Sequence, residues 1–348
     1  MKTSIYSLTS HDWGHYFEDK GFNQAGVKYW LDGIYRDSSQ WSRHVASSTI
    51  KALRNHFDFN LPEIVKTQES DDGTIKFQLQ LQDHLEVETV LIPFYKRYTV
   101  CLSTQVGCGM KCSFCYTGTQ GLKRHLSAGE IVGQYILAYS WLQKNMSSVI
   151  KPNIVFMGQG EPLHNYIEVK KAIEVLNDSK CLAIGHRQMT LSTVGFLPGI
   201  KELPTFPKIN LALSLHSPFP SQRNELIPIN QKYQLDEVLD ELDKVPLLKR
   251  QFITYEYLMI KNFNMTDDHV EALSAKFGHR KALMNLIPFN PFPGAKWDRP
   301  SIEEIDLFKK KLVHKKLRVM VRGTKGDDIL AACGQLKINQ MARTYDGG

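Results

Sequence analysis

The chain has 348 residues, 42% of them hydrophobic, and a formal charge of +7. That length buries a large core and holds one big domain with a smaller companion, and the absence of any run of 18 apolar residues argues against a membrane-spanning helix. The opening MKTSIYSLTSHDWGHYF has no continuous apolar stretch of the secretory kind, and six cysteines, three clustered and three scattered, suit the reducing cytoplasm better than a disulfide scaffold.

Residues 1 to about 60 read as helical. Val27, Trp30, Leu31, Ile34 and Tyr35 form one apolar stripe at helical spacing, and Leu53 with Phe57 marks another helix near 46–58. Ile75–Leu81 and Glu86–Ile92 flank the turn-like Gln82–His84 as a hairpin would. Pro93 is a plausible break, so 1–95 is expected to be a mostly helical accessory domain with a hairpin. From Tyr98 onward strands and helices alternate. Strand-like runs fall at 98–104, 153–157, 188–192, 209–215, 252–259, 282–288 and 317–321. Helical patterns fall at 127–143, 166–177, 235–244, 267–277 and 302–314. Ser127 with Glu130 makes a capping box, and Ser301 precedes Glu303 and Glu304. Such repetition implies α/β architecture with a parallel sheet and right-handed crossovers. Six units suit a partial (βα)6 TIM-like barrel over 96–336, whose chemistry sits at the C-terminal ends of the strands. The tail 337–348 is expected to be mobile.

The chemistry concentrates in CLSTQVGCGMKCSFCYTGTQGLKRH, residues 101–125, where Cys108, Cys112 and Cys115 are spaced C-x3-C-x2-C. Three thiolates on one short loop can converge on one inorganic centre. An iron–sulfur cubane normally takes four cysteines, so three leave one iron open to a substrate. Zinc would need a fourth donor, and His125, ten residues past Cys115, fits poorly. Gly158–Pro162 follows an apolar strand; its glycines admit a ligand to the backbone, and Glu161 can hold an ammonium group. Ser192, Ser214, His216 and Asn290 end apolar runs, where caps and turns are the ordinary reading. Taken alone, Cys101 and Cys333 are buried structural thiols, and Glu88 is an exposed charge in a strand. The basic clusters permit a nucleic-acid partner without requiring one. Lys123-Arg124, beside the cysteine loop, is the pair expected at phosphate, whereas 309–316 reads as a solvated helix face.

The C-x3-C-x2-C motif after the first barrel strand resembles the radical S-adenosylmethionine superfamily. Together with Cys101, Met157–Pro162, Ser214-Leu215-His216 and Ala332-Cys333-Gly334-Gln335-Leu336, it resembles the RlmN/Cfr family of RNA adenosine methyltransferases. The match runs from about Glu86 to Leu336, and the first 60 residues carry little of it. By this resemblance Cys108, Cys112 and Cys115 hold a [4Fe-4S] cluster, and Gly160 and Glu161 bind the amino end of S-adenosylmethionine. Ser192, Ser214, Leu215, His216 and Asn290 make further contacts to it. Cys333 becomes S-methylated, Cys101 releases product and Glu88 accepts a proton. One departure is Gln159, where the family usually has methionine.

The implied reaction uses two S-adenosylmethionine molecules per turnover. One methylates Cys333; the other is reductively cleaved to a 5′-deoxyadenosyl radical that takes hydrogen from the S-methyl group. The carbon radical adds to an electron-poor adenine carbon, and loss of an electron and a proton leaves RNA joined to Cys333. Attack by Cys101 frees methyladenosine and leaves a disulfide for an external reductant. The implied partners are ribosomal RNA, with tRNA beside the anticodon as a further candidate, and an electron donor such as flavodoxin or ferredoxin; a monomer in the cytoplasm is expected. Ile287–Gly294 and Thr324–Asp328 resemble the carbon-2, RlmN-like branch acting in the peptidyl-transferase centre of 23S ribosomal RNA. The carbon-8, Cfr-like branch is the alternative. Rival classes are a radical enzyme acting on peptides, which would need no Cys101/Cys333 pair, and a metal-binding module that only docks on RNA.

Overall fold

A computed structural model describes residues 2–35, 45–95, 97–146 and 150–338. Short strands β1 (Thr3–Ser4) and β2 (Phe57–Asp58) pair in parallel. Strands β3 (Glu63–Glu69), β4 (Ile75–Gln80) and β5 (Glu86–Phe94) are antiparallel neighbours, and β5 pairs antiparallel with β6 (Arg97–Cys101). A separate hairpin joins β7 (Gln105–Gly107) to β8 (Leu122–His125). The chain continues through β9 (Asn153–Phe156), β10 (Met189–Thr193), β11 (Asn210–Ser214), β12 (Ile253–Met259), β13 (Ala282–Pro288) and β14 (Val319–Val321). One ten-stranded sheet results, ordered β14-β13-β12-β11-β10-β9-β6-β5-β4-β3. Its seven strands from β6 to β14 are mutually parallel, so the expected strand–helix alternation is present.

These strands form because they bury almost every apolar side chain: Ile154, Phe156, Leu191, Leu213, Tyr257 and Leu286 are all at most 1% exposed. The helices cover them with one face each. Leu235, Val238, Leu239 and Leu242 of Leu235–Asp243 recur at i, i+3, i+4 and i+7 and are all buried. Ser127 caps the helix Ala128–Asn145 with a reciprocal box to Glu130, and Ser301 does the same with Glu304 for Ile302–His314. On that last helix Lys311 and Lys315 pair with Asp267 and Glu271 of a neighbouring helix.

The N-terminal helices α1 (Ser10–Asp19), α2 (Gly26–Tyr35) and α3 (Ser47–His56) pack through aromatic rings. Trp13 and Trp30 meet edge to face at 5.2 Å, and both are fully buried. The expected α2 stripe is the buried one, from Trp30 to Tyr35. Ser10 N–H donates to Asp178 at 2.7 Å, which docks α1 onto the barrel helices. The main sheet itself crosses the boundary suggested at residue 95, because β5 and β6 are hydrogen-bonded neighbours. Strand β3, unanticipated in the sequence, is the sheet's edge and is mostly exposed. Of the tail, 339–348 lies outside the described residues. Among the described residues no helix is long and apolar enough to cross a membrane.

Candidate active site

The C-terminal ends of the parallel strands surround a cavity with about 730 Å³ of empty space. Glu161, Ser192, Ser214, His216, Cys115 and Cys333 all line it. These residues come from five segments, each at or beyond the C-terminal end of a strand, as expected for chemistry at a barrel mouth.

The cysteine loop hangs between β7 and β8. Cys108 N–H donates to the Gly121 carbonyl (2.9 Å), so the hairpin closes the loop at its base. Cys115 N–H donates to the Cys112 carbonyl (3.1 Å), which makes a tight turn between the two cysteines. Burial pushes the Cys108 thiol up to about 12, and burial followed by the nearby Cys108 and Cys115 raises Cys112 further. Three crowded thiols in an apolar wall of Met110, Leu226, Ile227 and Phe289 need a cationic centre before they ionise. Among the described residues no three His, Cys, Asp or Glu side chains converge as a single metal ion requires. Three cysteines suit a cubane with one open iron, whereas a structural zinc takes four donors on one ion.

Gly158 and Gly160 let the next loop cross the sheet closely. A Cβ on Gly158 would lie 2.7 Å from the Leu102 carbonyl, and Gly160 has φ +105° with a Cβ position 2.6 Å from Gln105. Glu161, only 2% exposed, accepts from Val194 N–H (2.9 Å), Thr193 Oγ1 (2.7 Å) and Leu163 N–H (3.0 Å). Burial pushes its pKa up to about 7 against those donors. A buried carboxylate at a cavity wall is a site for an ammonium group. Gln159 turns away from the cavity. Its Oε1 accepts from Glu88 N–H (3.0 Å) and its Nε2 reaches Gln120 (3.4 Å), so the departure from methionine falls outside the cavity lining.

At the opposite wall Ser192 donates to Glu256 Oε2 at 2.8 Å. Glu256 was not anticipated; a lone acid inside the apolar Ile253–Met259 is its only sequence signal. His216, at φ +59°, accepts from Leu258 N–H through Nδ1 (3.0 Å) and is driven down to about 3 by burial, so it is neutral. Leu215 points into the core and offers only its carbonyl to Arg223. Arg223, fully buried, also donates to the Ser214 and Val194 carbonyls and so ties the ends of β10 and β11 together.

Cys333 faces the cavity, while Cys101 lies behind it in an apolar patch with Val90, Ala331 and Leu336. Both are free thiols. Burial, then the neighbouring Cys333, pushes Cys101 up to about 12. The Arg322 guanidinium, beside Met157 Sδ at 3.8 Å, is raised by Cys333 first and by Glu256 and Cys101 as well. One cation thus faces both thiols. Asn290 does not line the cavity; its Nδ2 donates to the Cys333 carbonyl (3.2 Å), and its Oδ1 accepts from Arg299 (2.7 Å) and Thr324 (3.0 Å). Arg299 also pairs with Asp327 at 2.8 Å, and Asp72 accepts from Gly326 N–H at 3.0 Å, so the segment before Cys333 is pinned on two sides.

A sequence model of the Radical SAM superfamily matches residues 102–273. The dual-specificity RNA methyltransferase RlmN of Syntrophus aciditrophicus is 43% identical over 276 residues, covering 79% of this chain and 78% of that protein. The RlmN of Campylobacter jejuni is 41% identical over 332 residues, covering 91% and 92%. The chain belongs to the RlmN family. A crystal structure of a radical SAM methyltransferase from Sphaerobacter thermophilus superimposes with a TM-score of 0.88 at 32% identity, over 96% of this chain and 99% of that one. As a radical SAM enzyme of the RlmN family, the protein takes a [4Fe-4S] cluster and S-adenosylmethionine as cofactors.

Within this RlmN-type site two expectations need correction. Glu88, expected at the surface, is 4% exposed and pairs with Lys76 at 3.0 Å, because β5 lies between β4 and β6 inside the sheet. Arg124, expected at phosphate, is engaged by Asp83 (2.6 Å) and Glu130 (2.8 Å), which leaves the exposed Lys123 as the free basic residue of that pair.

Proposed function

We propose that this RlmN-family enzyme methylates carbon 2 of a specific adenosine in the peptidyl-transferase centre of 23S ribosomal RNA, and an adenosine beside the anticodon of tRNA. The carrying observation is the placement of Cys333 on the cavity wall, with Cys101 behind it and Arg322 facing both. The printed names of the RlmN relatives, dual-specificity RNA methyltransferases, support the substrate class.

When bound through Cys108, Cys112 and Cys115, the cluster supplies the electron that cleaves S-adenosylmethionine. Glu161 holds the cosubstrate's ammonium group; Ser192 and Ser214 orient it from the facing strand ends, and neutral His216 braces the floor. In the first half-reaction the Cys333 sulfur displaces the sulfonium methyl, breaking its C–S bond and keeping the methyl as a thioether. In the second, that methyl loses a hydrogen atom and its carbon bonds to adenine. The adduct returns one electron to the donor system that supplied it for cosubstrate cleavage, and its ring proton passes to Glu88. The Cys101 sulfur, as thiolate, attacks the Cys333 sulfur. The Cys333–carbon bond breaks, the carbon takes up a proton to become the new methyl group, and a Cys101–Cys333 disulfide remains. Two electrons from an external donor such as flavodoxin or ferredoxin restore the thiols. Arg322 favours the Cys101 thiolate at its moment of attack. A cytoplasmic monomer completes the reading.

The test is anaerobic turnover of cluster-loaded protein with methyl-labelled S-adenosylmethionine, a reductant and either RNA, followed by nucleoside mass spectrometry. Labelled 2-methyladenosine is expected. Labelled 8-methyladenosine would assign the carbon-8 reaction instead. Cosubstrate cleavage with no labelled nucleoside would overturn the RNA reading.

A further inference from the structure

Lys76, in β4, keeps its ammonium inside the protein. Its Nζ lies 3.0 Å from Glu88 Oε1, and the two side chains are 7% and 5% exposed. The same Nζ donates to the Leu330 carbonyl at 3.3 Å, three residues before Cys333. The register explains the pairing: Lys76 stands opposite Val90 of β5, so Glu88 is its diagonal neighbour on one face. Nothing about the sheet requires this pair. An apolar pair of similar volume would stabilise the strands as well or better, and a buried ion pair kept in such a place points to another use. The other Glu88 oxygen, Oε2, is buried and makes no hydrogen bond. One oxygen is therefore anchored, and the other has no hydrogen-bond partner.

We propose that Lys76 is a positioning residue: it keeps the buried Glu88 ionised and fixes that carboxylate against the segment that presents Cys333, so that proton acceptor and methyl carrier share one geometry. The proposal rests on reading Glu88 as the proton acceptor. Burial raises the Glu88 pKa; against it act Lys76 from β4, the Lys337 backbone N–H and Lys66 from β3, and the net direction is upward. Removing Lys76 leaves burial less opposed, so the carboxyl titrates at still higher pH. The ionised fraction at neutral pH then falls, and the activity that needs it moves to more alkaline solution.

Full-length holoenzyme carrying Lys76→Met, Lys76→Arg or Glu88→Gln tests this in single-turnover methylation across pH. Cys333 S-methylation and 5′-deoxyadenosine are measured in the same samples. Lys76→Met is expected to keep both of these, to lose methylation by about 10²-fold at neutral pH, and to regain part of it in alkali. Lys76→Arg, which keeps the charge, restores the rate. Glu88→Gln loses activity at every pH, and adding Lys76→Met to it costs nothing more. A wild-type pH profile in Lys76→Met overturns the proposal, as do losses that multiply in the double variant. Should Lys76→Met not fold, the double variant, with no lone buried charge, decides: slower turnover than Glu88→Gln overturns the proposal. Infrared difference spectra against the matching Glu88→Gln protein read the carboxyl without RNA. An ionised band in the wild type and a protonated band in Lys76→Met support the proposal, and identical bands overturn it. Those bands standing while the wild type makes no methyladenosine would remove the proton-acceptor reading and leave the role of Lys76 in the charge state intact.

Discussion

Strands β9–β13 turn their C-terminal ends to the cavity, whereas β3–β5 offer Lys76, Glu88 and the Ser70–Thr74 turn to the segment that carries Cys333. The superfamily model matches 102–273, which spans parallel strands β9–β12, the cysteine loop, the glycine loop and Glu256. Glu88, Cys101, Arg322 and Cys333 all lie outside that match. The lesson is a division of labour on the proposed reading. The common half supports cosubstrate cleavage, and the antiparallel extension with the C-terminal segment decides where the methyl goes.

The largest effect should come from the common half. Cys112→Ala is expected to abolish both 5′-deoxyadenosine formation and methylation, with iron analysis showing a lost or defective cluster. Cys333→Ala should separate the halves: methylation vanishes while S-adenosylmethionine cleavage, followed by chromatography, continues. Loss of both in that variant would break the comparison. Glu161→Gln removes the ammonium's charge partner. Charge-assisted hydrogen bonds contribute about 1.5–3 kcal/mol, so binding by calorimetry should weaken by about 10–100-fold. Asp72→Ala releases the Gly326 N–H, one hydrogen bond of about 1 kcal/mol, and should slow methylation several-fold with cleavage unchanged. Faster hydrogen exchange over 324–336 would sharpen that assignment.

Much of this was legible because it is local in sequence. C-x3-C-x2-C puts three thiols on one loop whatever surrounds it, and the strand of Gly158–Pro162 announces itself by apolar content. The capping boxes at Ser127 and Ser301 were equally readable. Other features depend on distant partners. Glu88 and Lys76 look like surface charges until the sheet stacks β4 and β5 inside it and each becomes the other's counter-ion. Arg223 is invisible because three of its acceptors are backbone carbonyls at the ends of two separate strands. Strand β3, EIVKTQE, lacks an apolar face because it is an exposed edge, and β7–β8 is too short for a period to show.

The ties between the cysteine loop and the end of the chain also bear on the order of events during synthesis. Tyr116 N–H, Thr117 Oγ1 and Gln120 Nε2 donate to the carbonyls of Gly334, Leu336 and Ile338. The last two acceptors are 219 and 218 residues downstream of their donors. At about 5–20 residues per second, a ribosome makes them roughly 10–40 s after the loop itself. The nascent loop waits that long without its final backbone partners, so the sheet can assemble before the cluster site is closed over by its own C-terminal strap.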